Sequence, residues 1–375
     1  MQNILPAAPA EARNLAGVAS EMLLSTTGES AWFPAARSAI MFVVDGLGAI
    51  QLRSHRGHAR FLSQAGGKKQ VARTVFPSTT AAALSTILTG AWPGQHGLVG
   101  YRVRDPEQDL LVNQLDGYEK DGLDPDTWQR SATIFEQAVR RGLTPYAVGM
   151  SKYRSTGLTR ALMRGAEYVA EDDLAQRVRV AIALAEQSDG VFVYCYLPEL
   201  DQTGHKYGVD SDRWRSTLES IDGALHAAGK LSNRVGAVVT SDHGMIDVPR
   251  TRHVLLQDSD PRLGGVRHIG GEPRMLHLYV EPGIDPRQVA DSWRELSEGT
   301  AEVSTRDEAI AAGLFGDVAD HVRGRIGDVL VAARGLWAFY DDRLEEKRAQ
   351  LMIGQHGSTT PEETIVPLIR LGAYA

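Results

Sequence analysis

Three apolar, β-branched runs in this chain each lead into an acid, and that recurrence constrains the fold more than any other feature. Ala39–Val44 runs into Asp45, Val191–Tyr196 passes through Leu197 and Pro198 to Asp201, and Val235–Thr240 passes Ser241 to Asp242. Continuous runs of this kind mark strands buried on both faces, as in a parallel sheet. Open α/β sheets bind ligands beyond the carboxyl ends of their strands, so the three acids are expected to converge at one end of one sheet. Further strands are read at Tyr146–Gly149 and Asp328–Ala333, and helices at Ser131–Arg141, Asp173–Gln187, Arg213–Lys230 and Pro286–Ser297. The alternation predicts an α/β fold, a mainly parallel central sheet with helices on both faces.

The texture changes between His243 and His356. Gly264-Gly265, Gly270-Gly271 and scattered prolines punctuate short segments such as the strand Leu276–Val280 and an amphipathic stretch near Asp307–Ala319. Residues 252–324 are therefore read as a small α+β cap inserted into a single catalytic domain spanning 1–375. Forty basic against forty-seven acidic side chains give a net charge of −7, which offers no general attraction to nucleic acid or an anionic membrane. No basic leader followed by an apolar run opens the chain, and no run approaches the roughly 18 apolar residues of a membrane span. A single cysteine, Cys195, excludes an intramolecular disulfide and a thiolate metal cage. The cytoplasm is the expected location.

Metal-ligand chemistry is the reading that unites the scattered acids and imidazoles. Asp201 and His205 stand four residues apart, Asp242 and His243 are adjacent at a strand end with Gly244 to supply a turn, and His356 lies in Gly-Gln-His-Gly. Each is weak alone, since solvated acids and loop histidines are common. Together with Asp45 they make six N/O ligands and no sulfur, which suits two divalent ions, zinc first and manganese second. His96, in Pro-Gly-Gln-His-Gly, is expected to orient its neighbours rather than bind an ion; His55 and His58, in a basic polar stretch, are expected at the surface.

The segment Phe76-Pro-Ser-Thr79-Thr80 followed by Ala-Ala-Ala-Leu and ending at Thr89-Gly90 reads as an extended approach, a hydroxyl cluster and a helix. A hydroxyl before a helix is ordinarily an N-cap. The same place favours a phosphate and a developing alkoxide, and a metal ion makes such a hydroxyl a nucleophile. Spacing alone leaves Thr79 and Thr80 both open as the attacker.

Taken together, Val-Val-Asp45-Gly-Leu-Gly, Phe-Pro-Ser-Thr-Thr80, Thr89-Gly-Ala-Trp-Pro-Gly-Gln-His96-Gly, Asp201-x-x-Gly-His205-x-x-Gly208, Ser-Asp242-His243-Gly-Met and Gly354-x-His356-Gly resemble the alkaline phosphatase superfamily, specifically its type I phosphodiesterase/nucleotide pyrophosphatase family. The pieces occur in the family's order, from about residue 39 to 370. The resemblance implies an alkaline phosphatase-like fold and a hydrolase acting on phosphoric ester bonds of a small-molecule substrate. It also implies one zinc on Asp201, His205 and His356, a second on Asp45, Asp242 and His243 with Thr80, and attack by Thr80 through a phospho-threonine. Where nucleotide pyrophosphatases commonly carry an asparagine after the His-Gly motif, this chain has Tyr101. Tyr101, Arg102 and Lys152 are candidate substrate contacts, and phosphomonoesterase or phosphonate hydrolase activity stays open. A non-catalytic metal-binding protein is a further alternative, disfavoured by Thr80 beside a complete ligand set. A sulfatase lacks its Cys or Ser motif here, and Asp45-Gly-Leu-Gly48 lacks the third glycine of a dinucleotide fingerprint.

Overall fold

The structure, a computed structural model, describes residues 13–67 and 69–375. The first twelve residues, part of the segment in which no leader was read, lie outside the described residues. Strands Val71–Arg73, Ile365–Gly372, Val235–Thr240, Ser38–Val44, Val191–Leu197, Thr144–Gly149 and Glu167–Ala170 lie side by side in that order. The last five are mutually parallel. Ile365–Gly372 runs antiparallel to Val235–Thr240, and Val71–Arg73 antiparallel to it in turn.

The period of two along Ser38–Val44 explains why helices must cover both faces. Ala39, Met41 and Val43 enter a core shared with helices Leu15–Ser25, Thr80–Thr89 and Ile134–Arg140. Ile40, Phe42 and Val44 enter another, closed by Leu174–Gln187 and Asp212–Leu225. A strand buried on both sides has no polar face to give, hence the unbroken apolar run. Residues predicted as one helix to Lys230 tighten after Leu225 into a 3-10 segment, His226–Lys230.

A second sheet is built from Val266–Glu272, Met275–Val280, Val329–Ala333 and Ala301–Thr305, all antiparallel. Helix Pro286–Leu296 starts on an Asp285 cap that accepts from Arg287 N at 3.0 Å, and buries Val289, Ala290 and Trp293 against this sheet. Here the structure corrects the sequence reading twice. The strand at 329–333 belongs to this sheet and not to the central one, because a run buried on both faces does not say which sheet it joins. Consequently the antiparallel unit does not stop at residue 324: it takes in Val329–Ala333, and a further pair, His253–Leu256 with Ala338–Asp341, borders it. Val329, Val331 and Ala333 face the Trp293 core, whereas Leu330 and Ala332 pack into the main core. That strand and Met275–Val280, whose Met275 enters the main core and whose Leu276 and Leu278 enter the Trp293 core, join the two.

Candidate active site

The carboxyl ends of three adjacent parallel strands deliver the three acids to one place. Asp45 follows Ser38–Val44, and its N–H is held by Leu197 O at 3.0 Å on the neighbouring strand. Gly46 then turns at φ +74, and a Cβ there would stand 3.0 Å from Asp201 Cβ, so the two acids approach because residue 46 has no side chain. Asp201 and His205 lie one turn apart on helix Glu199–Tyr207. Gly244 after Asp242-His243 is needed for close approach, not for a special φ: a Cβ would meet Glu362 O at 1.9 Å. His356 arrives on the short strand Gly354–Gln355, paired antiparallel with Ile246–Asp247 just beyond His243.

The six side chains form two triplets, Asp201–His205–His356 and Asp45–Asp242–His243, each offering ligand atoms within 4.8 Å of one another. The His243 and His356 rings stack with centroids 3.6 Å apart, so the triplets adjoin. Each imidazole presents Nδ1 to a backbone carbonyl: His205 to Gly354 O at 2.8 Å, His243 to Gly244 O at 3.0 Å and His356 to Ser78 O at 3.0 Å. A carbonyl can only accept, so Nδ1 carries the proton and the Nε2 lone pair is left for the cluster. Asp45 Oδ1, Asp201 Oδ1 and Asp242 Oδ2 are buried without a hydrogen-bond partner among the described residues. Orphaned carboxylate oxygens facing imidazole lone pairs suit divalent cations and little else.

The electrostatics of the bare cluster agree. Burial, then the neighbouring Asp242 and Asp201 charges, push the Asp45 carboxyl well above its usual range, against a bond from Tyr196 OH. Burial followed by His243 and His205 holds His356 well below the usual imidazole range. Groups of like charge in a dry site resist ionising together, and added cations reverse that.

Thr80 opens the ten-residue helix Thr80–Thr89, and its Oγ1 lies 3.0 Å from His243 Nε2. Ser78 ties this segment to the His356 loop: its Oγ donates to Ser358 O at 2.6 Å and accepts from Gly357 N at 3.2 Å. Beside Thr80 opens a cavity of about 240 Å³, walled by Leu84, Leu88, Leu158, Tyr153 and Tyr194 with Asp116 and Glu119 at its side. No lysine or arginine lines it among the described residues.

His96 holds no place in either triplet. Its Nδ1 accepts from Leu98 N at 3.1 Å and its Nε2 meets Thr86 Oγ1 at 3.0 Å, two turns down the Thr80 helix; burial lowers its pKa to about 3. His55 is more enclosed than expected, bonded to Gln51 O at 2.9 Å and packed edge-on against Trp214. Tyr101, Arg102 and Lys152 share no hydrogen bond or ion pair with the six clustered side chains among the described residues. Lys152 lies beside the cavity wall, its Nζ 4.8 Å from the ring centroid of Tyr153. Two residues went unread in the sequence: Tyr196, on Asp45, and Glu272, whose Oε2 accepts from Thr79 Oγ1 at 3.2 Å. A strand tyrosine and an acid in a Gly-rich stretch carry no spacing signal.

An open α/β sheet with two acid-and-imidazole triplets beyond its strand ends and a threonine at a helix start defines an alkaline phosphatase-like protein with paired candidate metal sites. The chain belongs to the type I phosphodiesterase/nucleotide pyrophosphatase family, which residues 39–359 match. Human ectonucleotide pyrophosphatase/phosphodiesterase family member 7 is 26% identical over 201 residues, 50% of this chain and 43% of that protein. An uncharacterized pyrophosphatase/phosphodiesterase of Schizosaccharomyces pombe is 27% identical over 204 residues, 52% of this chain and 41% of its own length. The matches thus span less than half of these relatives. Murine ectonucleotide pyrophosphatase/phosphodiesterase 5 superposes with a TM-score of 0.67 at 19% identity, covering 90% of this chain and 88% of that one. Its inactive variant in complex with AMP gives 0.66, with 89% and 88% covered. Those structures share the fold.

Proposed function

We propose that this chain hydrolyses phosphodiester and nucleotide pyrophosphate bonds with Thr80 as nucleophile. The observation that carries the reading is Thr80 Oγ1 at the start of a ten-residue helix, 3.0 Å from His243 Nε2 and facing the paired triplets. Asp201, His205 and His356 would hold one divalent ion and Asp45, Asp242 and His243 with Thr80 the other. Zinc suits this N/O set, with manganese second, and when bound such ions supply the positive charge that makes a hydroxyl nucleophilic and steadies leaving oxygens. Thr80 Oγ1 bonds to phosphorus as the ester oxygen departs, giving a phospho-threonine. Water then displaces the threonine oxygen, and two in-line inversions retain configuration at phosphorus.

The cavity beside Thr80 supports an organic group on the phosphorus and argues against a carboxylate or second phosphate there, since its walls are mainly apolar and the charged side chains lining it among the described residues are Asp116 and Glu119. This favours diesters over phosphonates such as phosphonoacetate. Lys152 is proposed at the rim through Tyr153; Tyr101 and Arg102 stay proposed contacts for the part of the substrate outside the cavity. A cytoplasmic location is proposed, and recovery of the chain in the culture medium would overturn it.

The test compares p-nitrophenyl phosphate, a thymidine p-nitrophenyl diester and phosphonoacetate with purified zinc-loaded protein. The diester is expected to be cut fastest, and Thr80→Ala to abolish turnover while two ions per chain persist. Full activity in that variant, or fewer than two ions in active protein, refutes the mechanism.

A further inference from the structure

Glu272 reaches the site from the inserted sheet, and none of the six triplet residues comes from there. It ends strand Val266–Glu272, is almost buried, and stands 3.9 Å from His356 Nδ1. Its Oε1 has no partner among the described residues, and Gly357 leaves room for the carboxylate: a Cβ there would come within 2.7 Å of Oε1. The strand that carries it is locked in place. In the turn that follows, Arg274 forks onto Glu363 at 2.7 and 2.8 Å, both side chains fully buried, and Glu363 in turn accepts from Ser358 N at 3.0 Å beside His356.

What Glu272 holds is the Thr79 hydroxyl. Thr79 has the extended backbone of an N-cap, φ −120 and ψ 146, yet its side chain makes no capping bond. A threonine in that position ordinarily accepts from a first-turn N–H. Here Thr79 Oγ1 donates to Glu272 Oε2 instead, at 3.2 Å. The N–H groups of Thr80, Ala81 and Ala82 have no acceptor among the described residues, whereas a capping Thr79 would take one of them, that of Ala81 or Ala82. Free first-turn N–H groups beside the nucleophile are the donors that a phosphoryl group needs.

We infer that Glu272 is a positioning residue: by engaging Thr79 it prevents that side chain from capping the Thr80 helix and so reserves the helix N–H groups for the oxygens of the substrate phosphoryl group. The inserted sheet is on this account a fixed wall of the active site. The inference rests on the Thr80 reading given above.

The test uses the zinc-loaded protein with Glu272→Ala, Glu272→Gln and the double variant Glu272→Ala/Thr79→Val. Steady-state kinetics on the thymidine diester are read alongside inorganic phosphate binding by calorimetry, zinc content and thermal melting. Glu272→Ala frees Thr79 to cap, so kcat is expected to fall about 100-fold, the usual effect of losing one preorganised donor. Phosphate affinity is expected to drop about tenfold, with two zinc ions retained and an unchanged or higher melting temperature. Glu272→Gln still accepts from Thr79 and should stay within about threefold of the parent in both readouts. The double variant has no hydroxyl to cap with and should recover at least tenfold of the loss.

A double variant no better than Glu272→Ala, a Gln variant as impaired as Ala, loss of zinc from Glu272→Ala, or an unimpaired Glu272→Ala would each overturn the inference. An inactive parent would instead count against the Thr80 reading. Phosphate binding across the same variants would then still decide the role of Glu272.

Discussion

Replacing Gly46 with alanine should separate folding from catalysis, and the structure sets the size of both effects. Gly46 sits at φ +74 between Asp45 and the Asp201 helix, and an added Cβ would lie 3.0 Å from Asp201 Cβ and 3.1 Å from Asp201 Cα. The left-handed backbone alone costs alanine about 1–2 kcal/mol. Gly142→Ala is the matched control, since φ is +78 there and nothing lies within 4 Å of the new Cβ. Both variants should therefore lose about 1–2 kcal/mol in urea denaturation. Only Gly46→Ala meets backbone, which cannot swing aside as a flexible side chain would. Asp45 and Asp201, one from each triplet, must then part by some tenths of an ångström. Misplacement of about 1 Å in a catalytic array costs about 100-fold, so a fall of at least tenfold in kcat on the thymidine diester is expected at saturating zinc. If Gly46→Ala stays within threefold of Gly142→Ala, the contact between the two acids is not what sets the geometry of the site.

Arg274→Ala should destabilise the chain by about 3–5 kcal/mol, because it strands the fully buried Glu363 carboxylate, whereas the double variant Arg274→Met/Glu363→Leu should recover part of that, less the cost of leaving Ser358 N without its acceptor; urea midpoints of the parent and the two variants check it. His96, with a folded pKa of about 3, should make the protein acid-sensitive. Below an unfolded value of about 6.5 only the unfolded chain takes up the proton, so stability falls by about 1.4 kcal/mol per pH unit as pH drops from 6.5 toward 3. In metal-free protein, His96→Gln should be less steep than the parent by about that slope between pH 6.5 and 5, and equal slopes would contradict a neutral buried imidazole.

Much of the candidate site is legible in the sequence because its parts end strands. A parallel strand buried on both faces reads as an unbroken apolar run, and Asp45, Asp201 and Asp242 follow three of them in short order. The i, i+4 spacing of Asp201 and His205 likewise survives as one helical turn. Local pattern fails where two elements distant in sequence meet. Val329–Ala333 reads like a central strand, but its pairing with Met275–Val280 and Ala301–Thr305 is a long-range choice that composition does not encode.

The sequence by itself determined the alternating α/β architecture, the six triplet residues as a set, and a hydroxyl pair before a helix. Periodicity and strand-end chemistry are properties of short segments, so they need no knowledge of the rest of the chain. The division of those ligands into triplets and the choice of Thr80 were expected only through the family resemblance; the tertiary structure gathers the side chains into those groups, and it alone decided what stands behind them. Thr79 and Thr80 are neighbours of the same type, yet Thr80 Oγ1 faces His243 while Thr79 Oγ1 turns to Glu272, nearly two hundred positions away. Side-chain direction at a helix start depends on which partner packs against it, and that partner is brought by another sheet.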